Sequence, residues 1–150
     1  MRERFLQVME RAKTLEDAFL FVREVFQQYA FGAQKAIYVS GVIGSYGVVV
    51  ENRGRMAMRV EALKAILGPT VFAPTCIFSD SLYQKLKVCG YRHADWMAFW
   101  THVLCTGYVG TMVMTPGWEY SRGADMEYSI ARNMGMSIYY YDDENLLRLE

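Results

Sequence analysis

The N-terminal part of the chain alternates hydrophobic and polar residues with the period of a helix. Between Arg2 and Tyr29 hydrophobic residues recur every three or four positions, which predicts an amphipathic helix. Thr14 and Asp17 form a candidate capping box, so the segment is predicted as either one helix or two. We expect the hydrophobic stripe to pack in the core or against a second subunit. Its members are Phe5, Val8, Met9, Ala12, Leu15, Phe19, Val22, Val25 and Phe26.

Beyond Phe31 and Gly32 the pattern changes to short β-branched and aromatic runs between longer helical segments. Strands are predicted over 36–42, 70–73, 109–115 and 136–141, and helices over 52–67, 91–104 and 121–134. Asn52 is the predicted N-cap of the first of these helices. The alternation predicts a flavodoxin- or Rossmann-like α/β fold, with helices on both faces of a parallel sheet. We expect one domain: a helical extension over 1–34 and a core over 35–141.

Composition narrows the class of protein. Of the 150 residues, 53% are hydrophobic, which is enough for a substantial core. The 16 basic and 16 acidic residues cancel, and no Lys or Arg run stands out, so nucleic acid is not an expected partner. Three widely spaced cysteines and two histidines predict reduced thiols in a cytoplasmic protein rather than a metal site. Neither a signal peptide nor a membrane-spanning run is predicted.

Ligands of a parallel sheet bind beyond the carboxyl ends of its strands. Three loops occupy these ends, over residues 41–47, 74–81 and 116–123. The third leads through a Pro-Gly turn to Ser121, which is placed at a helix start and is followed by Arg122 and Gly123. Free N–H groups and the helix dipole there favour a phosphate, to which Ser121 adds a hydroxyl and Arg122 a charge. The plainer interpretation makes Ser121 only an N-cap.

Glu127 follows Ser121 by six residues, nearly two turns into the same predicted helix. A carboxylate near a helix start is stabilised in its ionised form, which suits a nucleophile that attacks a sugar carbon. The plainer interpretation is a glutamate on a solvated helix surface.

Four segments in this order resemble the nucleoside 2-deoxyribosyltransferase-like superfamily, most of all its small branch of uncharacterised, often phage-encoded proteins. The segments are IYVSGVIG (37–44), Asn52, VFAP (71–74) and PGWEYSRGADMEYSIARNMG (116–135). The resemblance covers about residues 35–141, and its most specific part is the arrangement GW-x-x-S-x-G-A-x-x-E.

The resemblance implies roles for individual residues. The glutamate of the last motif, here Glu127, is the family's nucleophile at C1′ of the sugar. The glycine loop after the first strand surrounds base and sugar, and it corresponds here to Tyr38, Ser40, Gly41 and Gly44. Six residues before the glutamate, nucleoside transferases carry aspartate, whereas nucleoside 5′-monophosphate N-glycosidases carry serine that contacts the phosphate. Ser121 occupies that position, and a neutral donor tolerates a phosphate dianion that aspartate would repel.

The chain departs from the family pattern at two points. Val42 stands where the first motif has proline. The family acid that helps to protonate the leaving base falls near Trp100, and the nearest acid is Asp95, in a region flanked by His93 and His102. Either Asp95 takes this role, or the chain lacks the acid and binds nucleotides without cleaving them.

The resulting expectation is hydrolysis of the N-glycosidic bond of a nucleoside 5′-monophosphate, without a metal or redox cofactor. Glu127 and Asp95 would carry the chemistry, and Ser121, Arg122 and Gly123 would hold the phosphate. Transfer of the sugar to a second base and non-catalytic nucleotide binding are the alternatives. Family members are commonly dimers or larger, so a homo-oligomer is expected.

Overall fold

A computed structural model describes residues 1–29, 34–44 and 47–148 of the chain. The predicted change of pattern at Phe31 and Gly32 lies outside the described residues, as do Ser45 and Tyr46 of the first glycine loop. The helices are α1 (Arg2–Met9), α2 (Leu15–Tyr29), α3 (Val49–Leu67), α4 (Pro74–Ile77), α5 (Asp80–Lys87), α6 (His93–Leu104) and α7 (Arg122–Asn133), with a 3₁₀ turn at Trp118–Tyr120. The strands are β1 (Ala36–Ser40), β2 (Val71–Phe72), β3 (Val109–Met114), β4 (Ser137–Tyr141) and β5 (Leu146–Arg148).

The five strands form one sheet in the order β2-β1-β3-β4-β5. The first four are parallel, with Tyr38 of β1 paired to Phe72 of β2 on one side and to Met112 of β3 on the other. The chain leaves β1 towards β2, then crosses back beyond β1 to β3 and β4. Right-handed crossovers therefore put α3 on one face and α6 and α7 on the other, which confirms the predicted flavodoxin- or Rossmann-like fold.

The fifth strand was not predicted. Strand β5 pairs antiparallel with β4, after a turn in which Asp142 Oδ1 accepts hydrogen bonds from Glu144 N (3.0 Å) and Asn145 N (2.6 Å). Asp143 adopts a left-handed conformation in this turn, with φ of 74°. An aspartate whose side chain bonds backbone N–H groups two and three residues ahead favours such turns.

The N-terminal segment forms two helices, the second of the alternatives that its capping residues allowed. Thr14 Oγ1 accepts a hydrogen bond from Asp17 N (3.0 Å), and Asp17 Oδ2 accepts one from Lys13 N (2.9 Å). The apolar stripe of α1 and α2 packs inside the chain: Phe5 and Phe26 are fully buried and both contact Phe72 of β2. These side chains therefore belong to the core and not to a subunit contact.

Helix α3 begins at Val49, earlier than predicted, so Asn52 is not its N-cap. The Asn52 side chain is buried in the first turn, and its Nδ2 donates to Ile43 O (3.2 Å). This contact ties α3 to the loop that follows β1. Among the described helices, none combines the length and the hydrophobicity needed to cross a bilayer.

The carboxyl ends of β1 and β3 are held together at the point where the strand order reverses. Ser40 O accepts hydrogen bonds from both N and Oγ1 of Thr115, each at 3.0 Å. A Cβ atom at Gly41 would overlap Thr115 Oγ1, so this close approach requires glycine. In sheets of this order ligands bind in the crevice at the reversal, which directs attention to the residues around Gly41.

Candidate active site

A buried carboxylate lies at the crevice between β1 and β3. Glu127 on α7 is only 6% exposed, so the interpretation as a solvated surface glutamate is wrong. Tyr38 Oη donates to Glu127 Oε1 (2.8 Å), and Ser40 Oγ donates to Oε2 (2.6 Å). Alternation along β1 puts both donors on the face that α7 covers, so strand and helix together hold the carboxylate in one orientation.

Burial dominates the ionisation of this group. Desolvation raises the pKa of Glu127 from 4.5 to about 7, even though the hydrogen bonds from Ser40 and Tyr38 act to lower it. The pKa of Tyr38 is raised well above its ordinary value, first by burial and then by the charge of Glu127. Near neutral pH the carboxyl group therefore exists in both forms, which suits a nucleophile or a general acid-base group.

Ser121 and Gly123 stand at the start of α7, on the same cavity as Glu127. Ser121 Oγ accepts a hydrogen bond from Ala124 N (3.3 Å), which confirms that Ser121 is the N-cap. A Cβ atom at Gly123 would meet Ser121 Oγ at 3.7 Å, an ordinary contact, so the protein itself does not require glycine there. The bare backbone at Gly123 leaves room for a ligand atom beside the helix start.

The cavity has a volume of about 750 Å³, within the range of small-molecule sites. One side is formed by loop glycines, the start of α7 and Glu127; its members are Gly41, Gly44, Ser121, Gly123, Ala124 and Glu127. A second group of lining residues is largely aromatic, and its members are Phe78, Tyr83, Trp96, Met97 and Trp100. Charged and polar side chains line the cavity as well, and these are Arg53, Asp80, Gln84, Lys87 and His93.

The aromatic side is a packed cluster with fixed ring positions. The Trp96 ring lies 5.2 Å from the rings of both Phe78 and Tyr83, and the Trp100 ring lies 5.6 Å from Tyr38. Trp100, near which the resemblance led us to expect an acid, presents an aromatic ring to the cavity. Such a wall can stack against a planar heterocycle.

Asp95 and Arg122 are not among the residues that line this cavity. Asp95 Oδ2 accepts a hydrogen bond from Arg92 N (2.7 Å), so the carboxylate stabilises the start of α6. Arg122, the first residue of α7, is exposed. His93 lines the cavity, whereas His102 lines a separate cleft with Phe19. Of the two predicted catalytic residues, the structure therefore brings only Glu127 to the cavity.

The structure adds Arg53, a residue that the sequence analysis missed. Arg53 on α3 lines the cavity, and its side chain is only 18% exposed. Its Nη2 donates to Phe78 O (2.6 Å), and its Nε lies 2.6 Å from Asp80 Oδ1. Local pattern gives no sign of this role, because Arg53 is one of several arginines in α3. Within the part of the chain that the structure describes, no group of three or more His, Cys, Asp or Glu residues could hold a metal ion.

The raised pKa of Glu127 predicts a pH dependence of stability. Below pH 4.5 the carboxyl group is protonated in both folded and unfolded chains; between 4.5 and about 7 only the folded chain keeps the proton. The group's contribution to the free energy of unfolding should therefore fall as pH rises through this window, by on the order of 3 kcal/mol, and be constant above it.

Urea unfolding of wild type and Glu127→Gln between pH 4.5 and 8 measures this contribution as the difference between the two proteins. We expect wild type to lose stability relative to the variant as pH rises to about 7. A pH-independent difference would contradict the raised pKa. Glu119→Gln, the same change at an exposed glutamate, is the matched control.

The comparisons with known proteins give one match. A family model described as "Domain of unknown function (DUF4406)" matches residues 35–140, from just before β1 to the penultimate residue of β4. That region contains Glu127, both of its hydrogen-bond donors and every residue that lines the cavity. No curated protein and no solved structure matches. Since the matched region is well over half of the 150 residues, the chain belongs to the DUF4406 family.

Proposed function

We propose that this protein cleaves the N-glycosidic bond of a nucleoside 5′-monophosphate, releasing the base and the sugar phosphate. The observation that carries the proposal is the Glu127 carboxylate, buried at a cavity of suitable size and held by Tyr38 and Ser40. Burial of a carboxylate costs free energy of folding, so its presence here supports a functional role. Carboxylates are the usual nucleophiles of glycoside cleavage.

In the proposed reaction ionised Glu127 attacks C1′ of the sugar and forms a glycosyl ester. The C1′–N bond breaks, and its electron pair leaves with the base, which then takes up a proton from solvent. Water then attacks C1′, one of its protons passes to solvent, and the carboxylate is regenerated. Tyr38 and Ser40 keep the carboxyl group in one orientation throughout, which removes the rotational freedom that would otherwise oppose attack.

Two groups of cavity-lining residues suit the two ends of a nucleotide. The start of α7, with Ser121 and the bare backbone of Gly123, offers N–H groups and a positive dipole to the phosphate. The aromatic wall of Phe78, Trp96 and Trp100 offers stacking surface to the base. Glu127 follows Ser121 by six residues, nearly two turns of α7, and lines the same cavity.

Replacement of the nucleophile should stop turnover and spare binding. Glu127→Gln keeps the shape of the side chain, but its neutral amide cannot form the ester. We expect release of free base to fall about 10³-fold or more, with the affinity for the monophosphate changed much less. Chromatography of a panel of nucleoside monophosphates incubated with each protein measures the first effect, and calorimetry measures the second.

Glu119→Gln is the control for this experiment, because Glu119 is exposed. Equal rates of base release by wild type and Glu127→Gln would remove Glu127 from the mechanism. Addition of a second free base to the assay distinguishes hydrolysis from transfer of the sugar.

Ser121 provides a test of the phosphate. Aspartate caps helices as well as serine does, so Ser121→Asp should fold normally. Its negative charge would face the phosphate dianion, and we expect nucleotide affinity to fall by about tenfold or more while nucleoside affinity changes little. Calorimetric titration with matched nucleoside and nucleotide pairs measures the difference. Equal losses for both ligands would show that Ser121 is only a cap.

A second candidate function is nucleotide binding without cleavage. The specific observation in its favour is the position of Asp95 at the start of α6, away from the cavity. A wild-type protein that binds a monophosphate and releases no base from any member of the panel would favour this function.

We also propose that the protein is a homo-oligomer in the cytoplasm. Large apolar side chains are exposed on and beside α3, where Val50, Met58 and Ile66 are 79%, 75% and 63% exposed. Contact with a second copy would remove this surface from water. Light scattering at micromolar concentration should give a mass of at least twice 17.3 kDa, and Met58→Glu should reduce it. A monomeric wild-type mass would contradict the proposal. The three cysteines are free thiols, in keeping with the proposed compartment.

A further inference from the structure

Arg53 is a cation that lines the cavity, and its side chain is 18% exposed. Its guanidinium donates to the carbonyl of Phe78, and the Phe78 ring lies 5.2 Å from Trp96 and 5.8 Å from Trp100. The charge is therefore bonded to the backbone of a residue whose ring belongs to the aromatic cluster, whereas Ser121 and Gly123 would hold the phosphate. Arg53 is thus suited to contact the base.

The contacts of Arg53 fix its orientation and leave donors for a ligand. An arginine side chain carries five N–H groups in a planar fork. Among the residues that the structure describes, Asp80 engages the Nε side and Phe78 O engages one Nη2 proton. Asp80 is 85% exposed and so remains largely solvated, which limits how far it neutralises the guanidinium. The Nη1 amino group is available to an acceptor on the base.

The departing base needs such a group. When the C1′–N bond breaks, the electron pair leaves with the base, which then carries negative charge. Apart from Glu127, Asp80 is the only carboxylate that lines the cavity within the described residues, and it forms an ion pair with Arg53. Glu127 cannot give the base a proton while it acts as nucleophile. His93 and Lys87 also line the cavity, but neither carries the planar fork of donors with which a guanidinium can hold a base. A fixed cation can instead stabilise the departing anion directly.

We propose that Arg53 recognises the base of the substrate: its guanidinium donates hydrogen bonds to the carbonyl at C6 of a purine or C4 of a pyrimidine and stabilises the negative charge that develops there as the base leaves. The preferred substrates are then nucleotides of oxo-bases, such as hypoxanthine, guanine or uracil, because a carbonyl accepts hydrogen bonds and shares the charge. The amino group of adenine or cytosine donates hydrogen bonds and would face the donors of Arg53. The inference rests on the proposed function.

The recognition step is tested by binding to Glu127→Gln, which turns over no substrate. Inosine and adenosine 5′-monophosphates differ in whether the purine carries a carbonyl or an amino group, and uridine and cytidine monophosphates form the matching pyrimidine pair. We expect Glu127→Gln to bind the oxo member of each pair at least about tenfold more tightly. Adding Arg53→Gln should abolish the preference. Equal affinities within each pair, or a preference that survives Arg53→Gln, would overturn the proposal.

The departure step is tested by turnover of a substrate whose base needs no stabilisation. The base of 7-methylguanosine 5′-monophosphate carries a positive charge and leaves as a neutral molecule. Arg53→Gln should lower kcat for guanosine monophosphate about 100-fold or more, and kcat for the methylated substrate less than about threefold. Equal losses of kcat for the two substrates would overturn the leaving-group role.

Two further variants separate recognition from folding. Arg53→Lys keeps the positive charge and loses the planar fork, so it should retain part of the turnover of guanosine monophosphate and less of the binding preference. Arg55→Gln removes an exposed arginine two residues along the same helix and should leave both unchanged. If wild type releases no base but binds the oxo member of each pair through Arg53, the proposed cleavage fails while the recognition stands. If base is released at rates that do not depend on Arg53 or on the oxo group, the role of Arg53 fails and the proposed cleavage stands.

Discussion

The structure depends on a carboxylate that is held out of water. Burial of Glu127 opposes its ionisation, and the hydrogen bonds from Tyr38 and Ser40 recover only part of that cost, so the pKa rises to about 7. Both donors come from one face of β1, while the acceptor comes from α7. The helix that caps the crevice is therefore tied to the central strand by the group that is proposed to act on the substrate.

The surrounding fold makes this arrangement possible. Because the strand order reverses at β1, the crossover to β2 and the crossover to β3 leave the sheet on opposite faces and open a crevice between them. Thr115 fastens the two strand ends through Ser40 O, and Gly41 permits the approach. The cavity forms beside this junction, between the start of α7 and the aromatic side chains that follow β2.

Local patterns predicted most of the fold and part of the site. The spacing of hydrophobic residues predicted four strands and the longer helices, but α4 lies in the segment 74–81 that was predicted as a loop, and α5 was not predicted. Ser121 was predicted as a helix start because capping is a local property. Strand β5 was not predicted because it has only three residues, two of them exposed, and so shows no alternation of hydrophobic and polar positions. Asp95 shows why catalytic residues are harder to predict from sequence. An acid at the third position of a helix can either act on a substrate or cap the helix, and only the structure shows that Asp95 accepts a hydrogen bond from Arg92 N at the helix start.

The sequence did not predict that Arg53 lines the cavity. Its proposed role depends on the packing of α3 and on a hydrogen bond to the carbonyl of Phe78, 25 residues away in sequence. Relationships of this kind come from the packing of elements and have no local signature. Tyr38 and Ser40 were predicted as site residues only from the resemblance to a known family, because the local pattern of β1 does not distinguish them.

The proposal that Glu127 is a nucleophile is tested most directly by trapping its ester. A 2′-fluoroarabino analogue of the best monophosphate substrate destabilises the positive charge at C1′, so that hydrolysis of the glycosyl-enzyme is slowed. After digestion with trypsin, mass spectrometry should find the sugar phosphate on the peptide of residues 123–132, which contains Glu127, together with one equivalent of released base. Release of base with that peptide unmodified would contradict the account.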